Sequence, residues 1–98
     1  MLDKLNSVEA NYEELTALLS TPSVQADSNE YRKHAKALAE IEPLVEKTRE
    51  YKAVLNQIEQ AEELMKSGDA DMRELAEEEL RGLKERRDTL VTDIKILL

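Results

Sequence analysis

Glycine and proline occupy only four of the 98 positions, Pro22, Pro43, Gly68 and Gly82. This scarcity of backbone punctuation restricts the fold more than any other feature. A β-sandwich or barrel needs a turn signal roughly every 8–12 residues, and this chain does not supply them. The long runs between the breakers are built from helix-forming residues, with charged side chains at 37% and hydrophobic ones at 41%. The expected class is all-α, and 98 residues is the size of one small domain.

Apolar spacing divides the chain into three helical segments. Leu5, Val8, Tyr12, Leu15 and Leu19 alternate steps of three and four, which places them on one helical face. Pro22 has no amide hydrogen and pushes Thr21 away from the helical region, so a first helix over about 2–20 should stop there. Thr21 is positioned to cap a short turn beginning at Pro22. Asp27 and Glu30 have the spacing of a reciprocal cap, predicting a second helix over about 28–66. Its apolar positions run through Tyr31, Ala35, Leu38, Ile41, Val45, Tyr51, Leu55, Ile58 and Ala61 to Met65. Pro43 falls inside it and predicts a kink or a break near Glu40 to Glu42, a kink being favoured because the apolar seam continues in phase.

Ser67, Gly68 and Asp69 form the second interruption, with Gly68 suited to the left-handed residue that follows a helix end. Asp71 and Glu74 repeat the reciprocal-cap spacing. A third helix over about 71–97 then carries Ala76, Leu80, Leu83, Leu90, Ile94 and Leu97, with Arg87 at one seam position. It runs to Ile96, Leu97 and Leu98 without a stop signal, so the chain reads as truncated from a longer protein. Short connections make successive helices antiparallel neighbours. The predicted architecture is an elongated three-helix bundle or antiparallel helical hairpin with coiled-coil-like packing.

Charge and composition remove several classes of function. The 14 basic and 22 acidic side chains leave a net charge of −8, and 1–26, 27–66 and 67–98 are each net acidic. Nucleic-acid affinity rests on phosphate neutralisation, so autonomous DNA binding is not expected. No run approaches the roughly 18 apolar residues of a membrane span, and no signal-peptide core is present, which predicts a soluble cytoplasmic protein. With no cysteine there is no disulfide framework, thiolate metal site or cysteine nucleophile.

The remaining polar clusters have ordinary explanations. His34, the single histidine, lies four residues after Glu30 on one helical face, as a metal pair would require. Zinc and di-iron sites need three or four protein ligands, and the others are missing. Glu77, Glu78 and Glu79 diverge by 100° each and read as solvated charge near a helix start. Glu46 with Glu50 and Lys52, and Arg81 with Glu85, read as pairs on outward faces. Arg32, Lys33 and Lys36, and Lys84, Arg86 and Arg87, form two small basic clusters that could meet an RNA backbone or an acidic partner, but without aromatics and outweighed by acids they read first as solvated charge. Gly68 and Gly82 stand alone, so no phosphate loop exists, and no nucleophile is paired with a base. No catalytic, cofactor-binding or metal-binding residue is assigned.

Taken in order, the strings Met1-Leu2-Asp3-Lys4-Leu5, Tyr12-Glu13-Glu14-Leu15 and Leu18-Leu19-Ser20-Thr21-Pro22-Ser23-Val24 carry a resemblance. Arg49-Glu50-Tyr51-Lys52, Asp71-Met72-Arg73-Glu74-Leu75-Ala76 and Ile96-Leu97-Leu98 continue it to the chain end. The whole chain resembles the N-terminal domain of the bacterial peptide chain release factor 1 family, the stop-codon-reading class I factors. Thr21 departs from the aspartate common before that proline, and Asp69-Ala70-Asp71 from a frequent Asp-Pro pair. The family's Gly-Gly-Gln tripeptide, which promotes peptidyl-tRNA hydrolysis, and its codon-reading Pro-x-Thr tripeptide are absent. No catalytic or codon-reading residue is therefore carried over.

The resemblance implies a parent protein that terminates translation at UAA and UAG stop codons. It implies that this domain is a helical arm facing the stalk base of the large ribosomal subunit, with the GTPase release factor and the glutamine methyltransferase as further partners. The expected role is interaction and positioning, without enzymatic activity. The rival reading from the residues alone is a generic coiled-coil adaptor or oligomerisation module, which predicts a stable dimer with concentration-dependent helicity.

Overall fold

The computed structural model describes residues 1–98, and all of its regular structure is helical: α1 Leu2–Leu19, α2 Pro22–Gln25, α3 Ser28–Ser67 and α4 Ala70–Leu97. The all-α class stands, with one short helix in the first connection. The helices form two compact units, Met1–Thr48 and Arg49–Leu98. α3 contributes residues 28–48 to the first and 49–67 to the second.

In the first unit, Pro22 ends α1 as its chemistry demands. Thr21 takes an extended backbone (φ −81°, ψ 129°), and Pro22 begins α2, where its missing amide costs nothing. Thr21 does not cap α2 through its side chain; its hydroxyl donates back to the Ala17 carbonyl at 3.0 Å. The Gln25 side chain donates to the Leu19 carbonyl at 3.1 Å, closing the connection over the end of α1. Leu5 and Leu15 are the buried residues of α1, and Leu44, Val45 and Thr48 are the buried residues of α3 in this unit.

Only half of the expected reciprocal cap forms at the start of α3. Asp27 Oδ1 accepts from the amides of Asn29 (3.1 Å) and Glu30 (3.2 Å). The Asp27 amide is already spent on the Val24 carbonyl, so Glu30 has no donor to reach for and turns to His34 instead. Pro43 does not break the helix: α3 continues unbroken from Ser28 to Ser67. The carbonyl that Pro43 deprives of a donor belongs to Ala39. Ala39 and Pro43 are both exposed, so water can serve that carbonyl. One turn beyond, Thr48 is fully buried and its hydroxyl finds no partner. An unpaired hydroxyl held dry costs about 1–3 kcal/mol.

In the second unit α4 folds back along α3. Val54, Ile58 and Leu90 form a core, with Tyr51, Leu80 and Leu83 packed against it. Ala61 and Ala76, each 2% exposed, flank the turn with the smallest apolar side chains available. Asp69 caps α4, its carboxylate accepting from the Met72 amide at 2.9 Å. The expected cap at Asp71 is therefore displaced by two residues, and Asp71 sits in the first turn, where its charge favours the helix dipole.

Gly68 has no positive φ, contrary to the left-handed expectation. Its amide continues the helical pattern to the Leu64 carbonyl at 2.9 Å. What requires glycine is proximity: a Cβ there would lie 2.6 Å from the Leu64 carbonyl oxygen and 2.8 Å from Met72 Cβ. Gly68→Ala is expected to destabilise the chain by about 1–3 kcal/mol, read as a lower urea midpoint. An unchanged midpoint would show that the turn yields freely.

Candidate interaction surface

Each candidate from the sequence takes a defined place. His34 Nε2 lies 3.3 Å from Glu30 Oε2, so this pair does meet across one turn. No group of three or more His, Cys, Asp or Glu residues is arranged to hold a metal ion. Arg32 is turned onto its own helix start, donating to the Ser28 carbonyl at 3.3 Å and to Asn29 Oδ1 at 3.1 Å. Lys33 and Lys36 are exposed beside it.

The second basic cluster is divided among separate tasks. Arg86 holds one oxygen of Glu50 across the hairpin, through Nε at 2.8 Å and also through Nη2. Arg87 Nε donates to Asp88 Oδ1 at 3.1 Å, while Lys84 is exposed. Two of the expected outward pairs are therefore re-partnered. Glu50 pairs with Arg86 of α4, and Arg81 pairs with Glu77, at 3.7 Å, on the preceding turn. The Glu50–Arg86 pair is wet, with both side chains 42% exposed. A pair of that kind contributes about 0.2–1 kcal/mol and serves alignment more than stability.

The surface with the most distinctive chemistry lies around the α3–α4 turn and was not singled out from the sequence. Leu64, Met72 and Leu75 are all exposed there, Leu75 at 68%. Asp71, Glu74, Leu75 and Glu78 enclose a shallow depression of about 370 Å³. Of the acidic run at 77–79, Glu78 faces this depression and Glu77 is engaged by Arg81. The available signal in the sequence was phase: Leu75 immediately precedes the seam residue Ala76, and so stands 100° away from the buried face. Such a surface offers an apolar contact ringed by carboxylates. It has the chemistry of recognition, and no nucleophile–base pair accompanies it.

Comparison with known proteins adds the following. The family profile described as PCRF domain matches residues 8–98. A protein named Peptide chain release factor 1 from Carboxydothermus hydrogenoformans is 48% identical over 99 aligned residues, covering all of this chain and 28% of that protein. Proteins of the same name from Myxococcus xanthus (48% identical, 27% of its length) and Acidobacterium capsulatum (43%, 27% of its length) also align over the whole chain. The chain thus spans little more than a quarter of the relatives it matches. No solved structure gives a significant match.

Proposed function

Since the chain belongs to the PCRF domain family, we propose that it serves as the helical interaction and positioning domain of a peptide chain release factor that terminates translation at UAA and UAG. The observation that carries this reading is the alignment of the entire chain with release factor 1 proteins at up to 48% identity. The surface chemistry agrees with a positioning role. Charged side chains clothe exposed helix faces, and neither a Gly-Gly-Gln nor a Pro-x-Thr tripeptide occurs in the 98 residues. In this reading the chemistry of ester hydrolysis belongs to other parts of the factor, and this domain contributes orientation on the ribosome.

The proposed principal partner is the ribosome at the large-subunit stalk base, with the GTPase release factor and the glutamine methyltransferase as secondary partners in the cytoplasm. The acidic balance favours contacts with basic protein surfaces over direct capture of RNA phosphates. No helix is long and apolar enough to cross a membrane.

A peptide-release assay on ribosomes programmed with UAA, UAG or UGA tests the proposal. The 98-residue chain alone is expected to release nothing at any codon. The release factor that carries this segment is expected to act at UAA and UAG, and to bind ribosomes more weakly once residues 1–98 are deleted. Codon-dependent release by the isolated chain, or a deletion that leaves ribosome binding intact, would refute the positioning role.

A further inference from the structure

The start of α4 exposes apolar surface that the hairpin does not use. Leu75 is 68% exposed, and Met72 and Leu64 beside the turn are 51% and 41% exposed. Leu75 lies one residue, hence 100°, off the buried seam of Ala76, Leu80 and Leu83, so no rotation of its side chain brings it into the core. A single exposed leucine is commonplace. Two further observations distinguish this one.

The first is the rim. Asp71, Glu74 and Glu78 enclose Leu75 in the depression on the outer face of α4. No cation lines the depression, and Arg81 on the following turn lies 3.7 Å from Glu77. The second is Gly82. It lies seven residues, about two turns, beyond Leu75 on the same stripe. Glycine is among the least favourable residues in a helix interior. Here nothing inside the chain explains it: a Cβ would meet no atom within 4 Å. Gly68, by contrast, is demanded by its own neighbours. A bare backbone on an open face is what close approach by a second backbone would exploit.

We infer that the stripe of Asp71, Leu75, Glu78 and Gly82, with Glu74 at its edge, is a docking face for a basic amphipathic helix of another protein. Leu75 is the anchor for the partner's apolar face, the three carboxylates meet lysine or arginine flanking that face, and Gly82 admits the partner's backbone. Charge selects this occupant. A nucleic acid would bring phosphates against three carboxylates, and a second copy of this chain would bring a net charge of −8. The inference stands on the geometry of α4 and does not depend on the release-factor reading.

The test is a titration of the ¹⁵N-labelled 98-residue protein with a synthetic helix of leucine and lysine at amphipathic spacing, followed by amide chemical shifts. The shifts are expected to centre on residues 71–82. Leu75→Ser and Gly82→Gln should each weaken binding by about tenfold or more, while helicity and melting are retained, since both positions are exposed. The inference is overturned by absence of binding, by shifts spread evenly over the acidic surface, or by indifference to both substitutions. An equal response to a leucine and glutamate helix or to oligouridylate also overturns it. So does light scattering that shows the protein alone dimerising through Leu75, since a second copy would then be the occupant.

Discussion

Leu90→Ala is expected to lower the free energy of unfolding by about 3 kcal/mol, within the roughly 2–5 kcal/mol typical of a buried leucine truncated to alanine. Leu90 is fully buried and is the only member of α4 among the buried residues of its core cluster, where it meets Val54 and Ile58 of α3. The cost combines lost transfer energy with a cavity, because Tyr51, Leu80 and Leu83 pack on that cluster and cannot all close over the gap. In a chain of this size the loss corresponds to a fall in melting temperature of about 15 °C. Leu75→Ala removes the same atoms from an exposed site, and should stay within about 0.5 kcal/mol. Similar losses at the two positions would mean that the α3–α4 seam is misassigned.

Pro43→Ala is expected to act in the opposite direction, stabilising the chain by up to about 3 kcal/mol. The helix already passes through this position, so alanine asks for no new backbone conformation. It restores a donor for the Ala39 carbonyl and removes the ring's crowding of the preceding turn. Pro43 is exposed, so no apolar contact of consequence is lost. Thermal melting followed by circular dichroism reads the change directly. A decrease in melting temperature would show that the proline ring supports local packing which alanine cannot replace.

The two effects mark which features could be read from the residues. The three long helices were legible because each rests on apolar periodicity, and α1 also on a terminator with a definite mechanism. Pro22 stops α1 by lacking an amide, and Leu5, Val8, Tyr12, Leu15 and Leu19 are all at least half-buried in the structure. Along α3 the phase was legible but the membership less so. Val54 is buried where the period had pointed to Leu55, Tyr31 at the head of the seam is 42% exposed, and Thr48 fills a buried position that its polarity had concealed. Hydrophobicity reports what a side chain prefers, and a continuous helix face buries whatever residue falls on it.

Local hydrogen-bond choices were harder to read, for a competitive reason. Asp27 and Glu30 have the right spacing for mutual capping, but an amide can be used once, and Val24 had claimed it. Arg81 faced glutamates at both four-residue offsets, Glu77 and Glu85, and spacing does not choose between them. Glu50 found Arg86, 36 residues away, which no local rule could nominate. The same limit hid the surface at Leu75. Its prominence depends on the angular position of the seam, which the periodicity carried, and on three carboxylates closing around it, which only the folded helix displays.

The seam joining α3 to α4 mixes Tyr51, Ala61, Ala76 and Arg87 with its larger aliphatic side chains, so a displacement of α4 by seven residues would set Arg87 where Leu80 now packs. Burial alone therefore already disfavours a hairpin slipped by one heptad. Glu50 and Arg86 stand at equal distances along the chain from Gly68, and their pairing is met only when the fold-back is symmetrical about that glycine. A weak contact thus adds a small bias toward an alignment that the apolar seam and the close approach at Gly68 already favour.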